Sequence, residues 1–233
     1  MNETQTLLRA LVDLRDRTLQ KSRIAFGNRA GAVERGEDTS TAEPGDEREK
    51  VFEAWQTRFD DLETAAEQDI AELTASFPII EQMTRVKGVG KLLAAKVVAM
   101  VDIERADTVS ALWRFAGYAV IDGKAERPTK GEKLHYNRRL KTACYLVGVS
   151  FLRSSSPYRL VYDETRATYE TSHPDWSDGH KHQAALRRML KVWLAHLWER
   201  WRKMEGLSTR PPYILEHGHT TYMEPEAFGW GPA

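Results

Sequence analysis

Residues 86–95 read Val-Lys-Gly-Val-Gly-Lys-Leu-Leu-Ala-Ala, a Gly-x-Gly turn followed by an apolar run. The run is typical of a helix, and the turn places the two glycines at the N-terminus of that helix. N–H groups in the first helical turn have no partner within the helix and carry partial positive charge, so this end attracts anions. Lys87 and Lys91 flank the turn, which indicates a phosphate. Gly88 and Gly90 have no Cβ that would hold a phosphate away.

The spacing of this turn resembles that of a helix-hairpin-helix, a module that binds nucleic-acid backbone without reading the base sequence. A turn that only caps a helix has the same spacing, and the segment alone leaves that alternative open. Other parts of the sequence are therefore needed to distinguish a helix-hairpin-helix from a simple helix cap.

A second informative segment, residues 123–141, holds seven Lys or Arg against two acidic residues. Gly and Pro come early in it and a helix start comes late, so it reads as a basic loop that leads into a helix. Such a loop suits contact with DNA or RNA backbone, although a solvated charged loop has the same composition. The predicted DNA-binding set from both segments comprises Lys87, Gly88, Gly90, Lys91, Lys124, Arg127, Lys130, Lys133, Tyr136, Asn137, Arg138, Arg139 and Lys141.

Composition limits the class of protein. The 233 residues carry no net charge, but residues 1–85 hold 11 Lys/Arg against 18 Asp/Glu, whereas residues 86–141 hold 12 against 6. A basic middle beside an acidic first part predicts one surface that faces a polyanion. No run of about 18 apolar residues and no secretory signal is visible, so we expect a cytoplasmic protein without a membrane partner. The single Cys144 excludes an internal disulfide and a four-cysteine zinc site.

Residues 1–78 predict a coiled-coil helical hairpin. One helix spans 5–33, and a second begins near Asp46 after a polar loop at 35–46. The second helix has apolar residues at alternating steps of three and four, which is the spacing of a coiled-coil seam. These residues are Phe52, Trp55, Phe59, Leu62, Ala66, Ile70 and Leu73. The short loop makes the two helices antiparallel, and we expect the seam to be buried within the hairpin or between chains of a homo-oligomer.

Residues 79–205 predict a helical domain, and residues 206–233 an irregular tail, so the fold class is all-α. Pro78 marks the exit from the coiled coil, and Gly206 ends the last helix. The Trp and Leu stripe of that helix reads as core packing. The predicted helices span 91–103, 108–117, 137–153, 157–171 and 182–205.

Two other groups of side chains offer weaker chemistry. His-x-His pairs occur at 180–182 and 217–219, but on a helix such pairs place their rings on different faces, so we predict no metal site. Ser154, Ser155 and Ser156 precede Pro157 and indicate a helix boundary more than a nucleophile.

In order along the chain come Arg23, Asn28 and Arg29, the coiled coil, the Gly-x-Gly turn, Ala-Leu-Trp-Arg-Phe-Ala-Gly-Tyr at 111–118, and Tyr-Asn-Arg-Arg-Leu-Lys at 136–141. This ordered set resembles the C-terminal portion of insertion-sequence-110 family transposases, which include the bridge-RNA-guided recombinases. The resemblance covers residues 5–205. It implies coiled-coil association, DNA binding (with a structured RNA as a further partner) and a place in transposition or recombination.

Members of that family also carry a RuvC-like nuclease domain with acidic metal ligands and a catalytic serine. The first 85 residues read as two helices and contain no counterpart of that domain. Asp122 stands where the serine is expected, and Thr129 is the nearest hydroxyl. No catalytic residue is therefore assigned. The chain itself needs no cofactor on this interpretation, and Mg²⁺ would enter only with a separate nuclease chain.

The sequence thus predicts a transposase-like DNA-binding protein without autonomous strand cleavage. The rival interpretation is a non-catalytic coiled-coil assembly module, or a regulator of a full-length transposase. A metal-dependent hydrolase built on the histidines is the third.

Overall fold

The computed structural model describes residues 2–34, 46–121, 124–126, 131, 134–209 and 223–232. Helices dominate these residues, which confirms the all-α prediction. The strands among them are β1 (Val120–Ile121) and β2 (Lys124–Ala125), a two-residue antiparallel ladder with Val120 opposite Ala125. The chain divides into two compact units, one from Asn2 to Thr74 and one from Ala75 onward. The sequence prediction put this boundary at residue 78.

The first unit consists of two long helical stretches. The first stretch is α1 (Glu3–Asp13), a π-helical segment (Leu14–Leu19) and α2 (Gln20–Glu34), and the second stretch is α3 (Asp46–Leu73). Contacts between them run in antiparallel order: Phe26 meets Phe52 with ring centroids 5.2 Å apart, and Arg15 meets Glu67 further along.

The seam between these stretches differs from the predicted one at two positions. Trp55 and Leu62 are 44% and 53% exposed and lie outside the contact, whereas Glu63 is buried within it. Glu63 accepts ion pairs from Arg15 at 2.7 Å and from Arg23 at 2.9 Å. These charged contacts rotate α3 away from the face that apolar spacing alone selects. The remaining predicted seam residues are half-buried or buried: Phe52, Phe59, Ala66, Ile70 and Leu73.

The second unit contains six α-helices in its described residues. They are α4 (Pro78–Arg85), α5 (Lys91–Val98), α6 (Val109–Phe115), α7 (Arg138–Ser154), α8 (Tyr158–Ser172) and α9 (Asp178–Met204). Helix α4 does not follow from the sequence prediction, because Pro78 starts a helix at its first position instead of marking only the exit from one. The sequence prediction also extended the α5 helix to 103, whereas α5 ends at Val98.

Helix α9 forms the centre of this unit and packs against α4, α6, α7 and α8. Trp193 is fully buried, and Trp198 and Trp201 are 2% and 4% exposed, so the Trp stripe is core packing as predicted. Gly206, with a φ of +66°, follows the end of α9, as its position in the sequence predicts.

Residues 223–232 pack onto this core. Phe228 and Trp230 are buried, and the indole of Trp230 donates to the Tyr158 hydroxyl at 2.7 Å. That hydroxyl also contacts His196 Nδ1 at 2.6 Å, and His196 Nε2 contacts the Met223 carbonyl at 2.8 Å. The predicted irregular tail therefore includes a segment that is part of the fold.

Candidate nucleic-acid interface

The Gly-x-Gly turn joins α4 to α5, which pack against each other. Val89 N–H donates to the Val86 carbonyl at 3.0 Å and closes the turn. Gly88 has a φ of +101°, in the left-handed region that favours glycine. Gly90 is the N-cap of α5 with extended backbone, and it provides no side-chain cap. The first-turn N–H groups of α5 therefore present partial positive charge at this end of the helix.

The two glycines of the turn serve different purposes. A Cβ on Gly88 would lie 2.6 Å from Ser154 Oγ and 3.3 Å from the Phe151 ring, and the Gly88 carbonyl accepts from Ser150 Oγ at 2.6 Å. Helix α4, the turn and α5 together form the α4–α5 hairpin. Glycine is thus required at position 88, where this hairpin packs on α7. A Cβ on Gly90 would meet nothing within 4 Å, and its φ of −87° suits any residue. Neither backbone nor packing requires glycine at position 90.

The lysines predicted at this turn are both exposed. Lys87 precedes Gly88, and Lys91 is the first residue of α5. Both cations therefore flank the uncapped helix end, and the open side of Gly90 lies between them in the chain. This is an arrangement that a phosphate group fits by charge and by shape.

The basic loop is described only in part. Arg127, Lys130 and Lys133 lie outside the described residues, and Lys124 is described only as backbone of β2. The residues that follow the loop are described in full. Among them, Arg138 is exposed and Arg139 is half-buried at the start of α7.

Three predicted DNA-binding residues near the start of α7 make local contacts. The Asn137 side chain caps α7 by accepting from the N–H groups of Arg139 and Leu140 at 3.0 and 3.1 Å. The Tyr136 ring packs on Gly117, where a Cβ would lie 2.8 Å from it. The Lys141 ammonium lies 4.3 Å from the centre of the Tyr136 ring. The Asn137 side-chain oxygen accepts hydrogen bonds within the fold, so the structure assigns Asn137 the role of a helix cap.

The structure places the described members of the second segment on different sides of α7: Arg139 precedes Ser150 by eleven residues and lies within about 20° of it around the helix, whereas Lys141 does not. Ser150 contacts the hairpin, whereas Lys141 lies near the start of the same helix. Nine residues of α-helix correspond to a rise of about 14 Å and a rotation of about 180°. The hairpin and the Lys141 side chain therefore occupy opposite sides of α7.

Sequence reasoning missed a basic cluster on α9, made of Arg187, Arg188 and Lys191. None of the three forms an ion pair within the described ranges. Lys191 lies over the Trp113 ring at 4.0 Å, and burial together with the neighbouring Arg188 and Arg187 charges lowers its pKa. The sequence does contain a sign of this cluster: two adjacent arginines are followed by a lysine about one turn later on a predicted helix.

The described histidines from residue 173 onward contact aromatic rings or hydroxyls, and the serines lie at a helix boundary where the Ser154 and Ser156 hydroxyls are buried without a hydrogen-bond partner among the residues described. No group of three potential metal ligands occurs in the part of the chain that the structure describes. His173 stacks on Trp176 at 4.0 Å, and His182 Nδ1 contacts the Tyr162 hydroxyl at 2.7 Å. Ser155 ends α7 with a φ of +51°, so the serine run is a helix boundary. His217 and His219 lie outside the described residues.

Comparison with known proteins adds no relative: no family model, no curated protein and no solved structure matches this chain. Among the described residues, no helix combines the length and the apolar character that crossing a membrane requires.

Proposed function

We propose that this chain binds nucleic-acid backbone through the α4–α5 hairpin, as a helix-hairpin-helix does, and acts in DNA transposition or recombination. The observation that carries the binding proposal is Gly90, a glycine that the fold does not need, at an uncapped helix start flanked by two exposed lysines. A phosphate explains all three features at once, because it needs close approach, N–H donors and positive charge. The place in transposition rests on the resemblance of residues 5–205 to insertion-sequence-110 family transposases.

The test replaces Gly90 by Ala and then by Val. A Cβ at this position meets no protein atom, so we expect the fold to persist and duplex DNA affinity to fall by about tenfold for a lost close phosphate contact. Binding is measured by fluorescence anisotropy on unrelated duplexes, and folding by circular dichroism. The matched control is Gly179→Ala, at an exposed position in α9 where a Cβ also meets nothing within 4 Å.

Removing the flanking charges makes an independent test of the same proposal. In Lys87→Gln/Lys91→Gln, two phosphate contacts are lost, so the slope of log affinity against log salt should fall by about 1.8. Equal loss on every duplex sequence is expected, since backbone contacts carry no base information. Wild-type affinity and slope in both the glycine and the lysine variants would refute the hairpin as the binding element.

A second proposal concerns self-association through the first unit. Val51, Trp55 and Leu62 are 56%, 44% and 53% exposed and follow one another at steps of four and seven, as on a second coiled-coil seam. We propose that another copy of the chain covers this stripe. Trp55→Asp should lower the mass measured by light scattering. Thr57→Asp, an exposed position about 200° around the helix, should leave it unchanged.

We propose that strand cleavage belongs to a separate nuclease chain that brings its own Mg²⁺, as the resemblance implies. The Ser154 and Ser156 hydroxyls are buried and have no hydrogen-bond partner among the described residues. The purified cytoplasmic protein is expected to bind DNA without forming a covalent adduct on a suicide substrate with Mg²⁺ or Mn²⁺. An adduct lost in Thr129→Ala would restore an active recombinase. An adduct lost only when Ser154, Ser155 and Ser156 are changed would place the nucleophile there.

A further inference from the structure

A groove of about 260 Å³ lies between α7 and α9, beside the turn that follows α6. Its walls include Gly117, Tyr118, Lys141, Tyr145, Leu186 and Arg187. Both charged side chains among the lining residues are cations, and the remaining lining residues are neutral. The groove is therefore electropositive.

The positive charge of the groove extends along α9. Lys191 follows Arg187 by four residues, which places both side chains on one stripe of the helix. Burial, together with the charges of Arg188 and Arg187, lowers the pKa of Lys191, and the three cations repel one another. No carboxylate in the described ranges forms an ion pair with any of them. A cationic cluster left without anions is the electrostatic footprint of a polyanionic ligand.

The groove also carries an exposed aromatic ring. Tyr145 is 43% exposed and follows Lys141 by one helical turn on α7. Tyr118, by contrast, is 6% exposed, and its hydroxyl donates to the Lys141 carbonyl at 3.1 Å, so its ring forms the wall. An exposed ring next to cations is the combination that binds a base and its phosphate in single-stranded nucleic acid.

We propose that this groove binds an unpaired nucleic-acid strand, with phosphates at Arg187 and Lys191 and a base stacked on Tyr145. A volume of about 260 Å³ is close to the size of a single nucleotide. Only an unpaired base is free to stack on Tyr145, because the bases of a duplex are stacked on one another. The groove includes the Lys141 side of α7, opposite the side that the α4–α5 hairpin contacts. This second site is therefore separate from the duplex site proposed above and does not depend on it.

The test measures anisotropy of labelled single strands, a 12-nucleotide oligothymidine and a 12-nucleotide oligouridine, with the full chain over a range of salt. In Arg187→Ala/Lys191→Met, two phosphate contacts are lost, and the salt slope should fall by about 1.4. Methionine keeps an apolar stem against Trp113, so folding is preserved. Arg105→Ala removes an exposed cation outside this groove and should leave the slope unchanged.

Stacking is tested separately at Tyr145, which is exposed and can be replaced without opening the core. Tyr145→Ala should weaken single-strand binding at least tenfold, and Tyr145→Phe should retain it, because only the ring is needed. Tighter binding of one oligomer identifies DNA or RNA as the source of the strand. Wild-type affinity and slope in both the cation and the Tyr145→Ala variants would overturn the proposal.

Discussion

Each of the two units of this chain is stabilised internally by a different combination of forces. In the second unit, Trp193 and Trp198 are no more than 2% exposed, so its centre is apolar. In the first unit, Leu8 and Ile70 are no more than 1% exposed, and the ion pair of Arg15 with Glu63 is buried beside this apolar contact. Apolar burial stabilises in proportion to area, whereas a buried ion pair offsets its desolvation only with good geometry. Loss of Arg15 alone is therefore costly in the first unit, because it leaves Glu63 buried with fewer partners.

The largest expected effect breaks the second unit. Trp193→Ala should lower the free energy of unfolding by about 3–5 kcal/mol, because a fully buried indole leaves a cavity. Thr57→Ala, at an exposed position of the first unit, should change it by less than about 0.5 kcal/mol. Urea unfolding followed by fluorescence separates the units, because Trp55 is the one tryptophan of the first unit and the other six lie in the second. Equal losses of unfolding free energy in the two variants would contradict the proposed difference between the units.

A smaller effect tests the charged seam of the first unit. Arg15→Met leaves Glu63 with a single partner in a buried position and should cost about 2–3 kcal/mol. The double variant Arg15→Met/Glu63→Met should recover most of that loss, since it buries no unpaired charge. Amide hydrogen exchange of residues 59–70 gives the local measurement. A double variant no more stable than Arg15→Met alone would show that the ion pair is not what positions α3.

The smallest effect sharpens the comparison through pH. Burial lowers the pKa of His196 to about 4, so the folded protein keeps this ring neutral while the unfolded chain, with an ordinary pKa near 6.5, binds a proton. Stability conferred by the neutral ring is complete at pH 7 and falls as pH drops from about 6.5 towards 4. The expected loss between pH 7 and pH 5 is about 2 kcal/mol.

The control for this pH effect is His196→Gln in a Trp55→Phe background, where fluorescence reports the second unit alone. This variant should lose the His196 part of the pH dependence between pH 7 and 5. A wild-type pH profile in the variant would assign the dependence to other groups.

Much of the helical fold was predictable from spacing. The apolar stripes of α7, α8 and α9 have the helical period, and their bounds follow from it within a few residues. On α3 the period does not say which residues face the first stretch: Trp55 and Leu62 have the right spacing, but the neighbouring Glu63 contacts Arg15 and Arg23. Partners 40 or more residues away decide that contact, and a local pattern does not contain them. Pro78 is ambiguous for a simpler reason, because proline both follows helices and starts them.

The candidate site was predictable in its chemistry but not in its geometry. The sequence identifies the hairpin residues, yet only the structure separates Gly88, which α7 requires, from Gly90, which nothing in the fold requires. Asn137 has a polar group suited to DNA, but helix capping uses it first. Arg187 and Lys191 look like an ordinary solvated face until α6 and α7 are placed beside them.

The segment 223–232 also bears on how the second unit folds. Gly231 N–H donates to Gln82 at 2.9 Å, a contact between residues 149 positions apart. Contacts of such long range close a large loop and form late, because closing the loop costs chain entropy before the contact can stabilise the fold. During synthesis, α4 emerges long before its partner segment exists. The core around Tyr158 therefore remains open to water until residues 223–232 have been translated, and a nascent chain stalled before them exposes Tyr158 and His196.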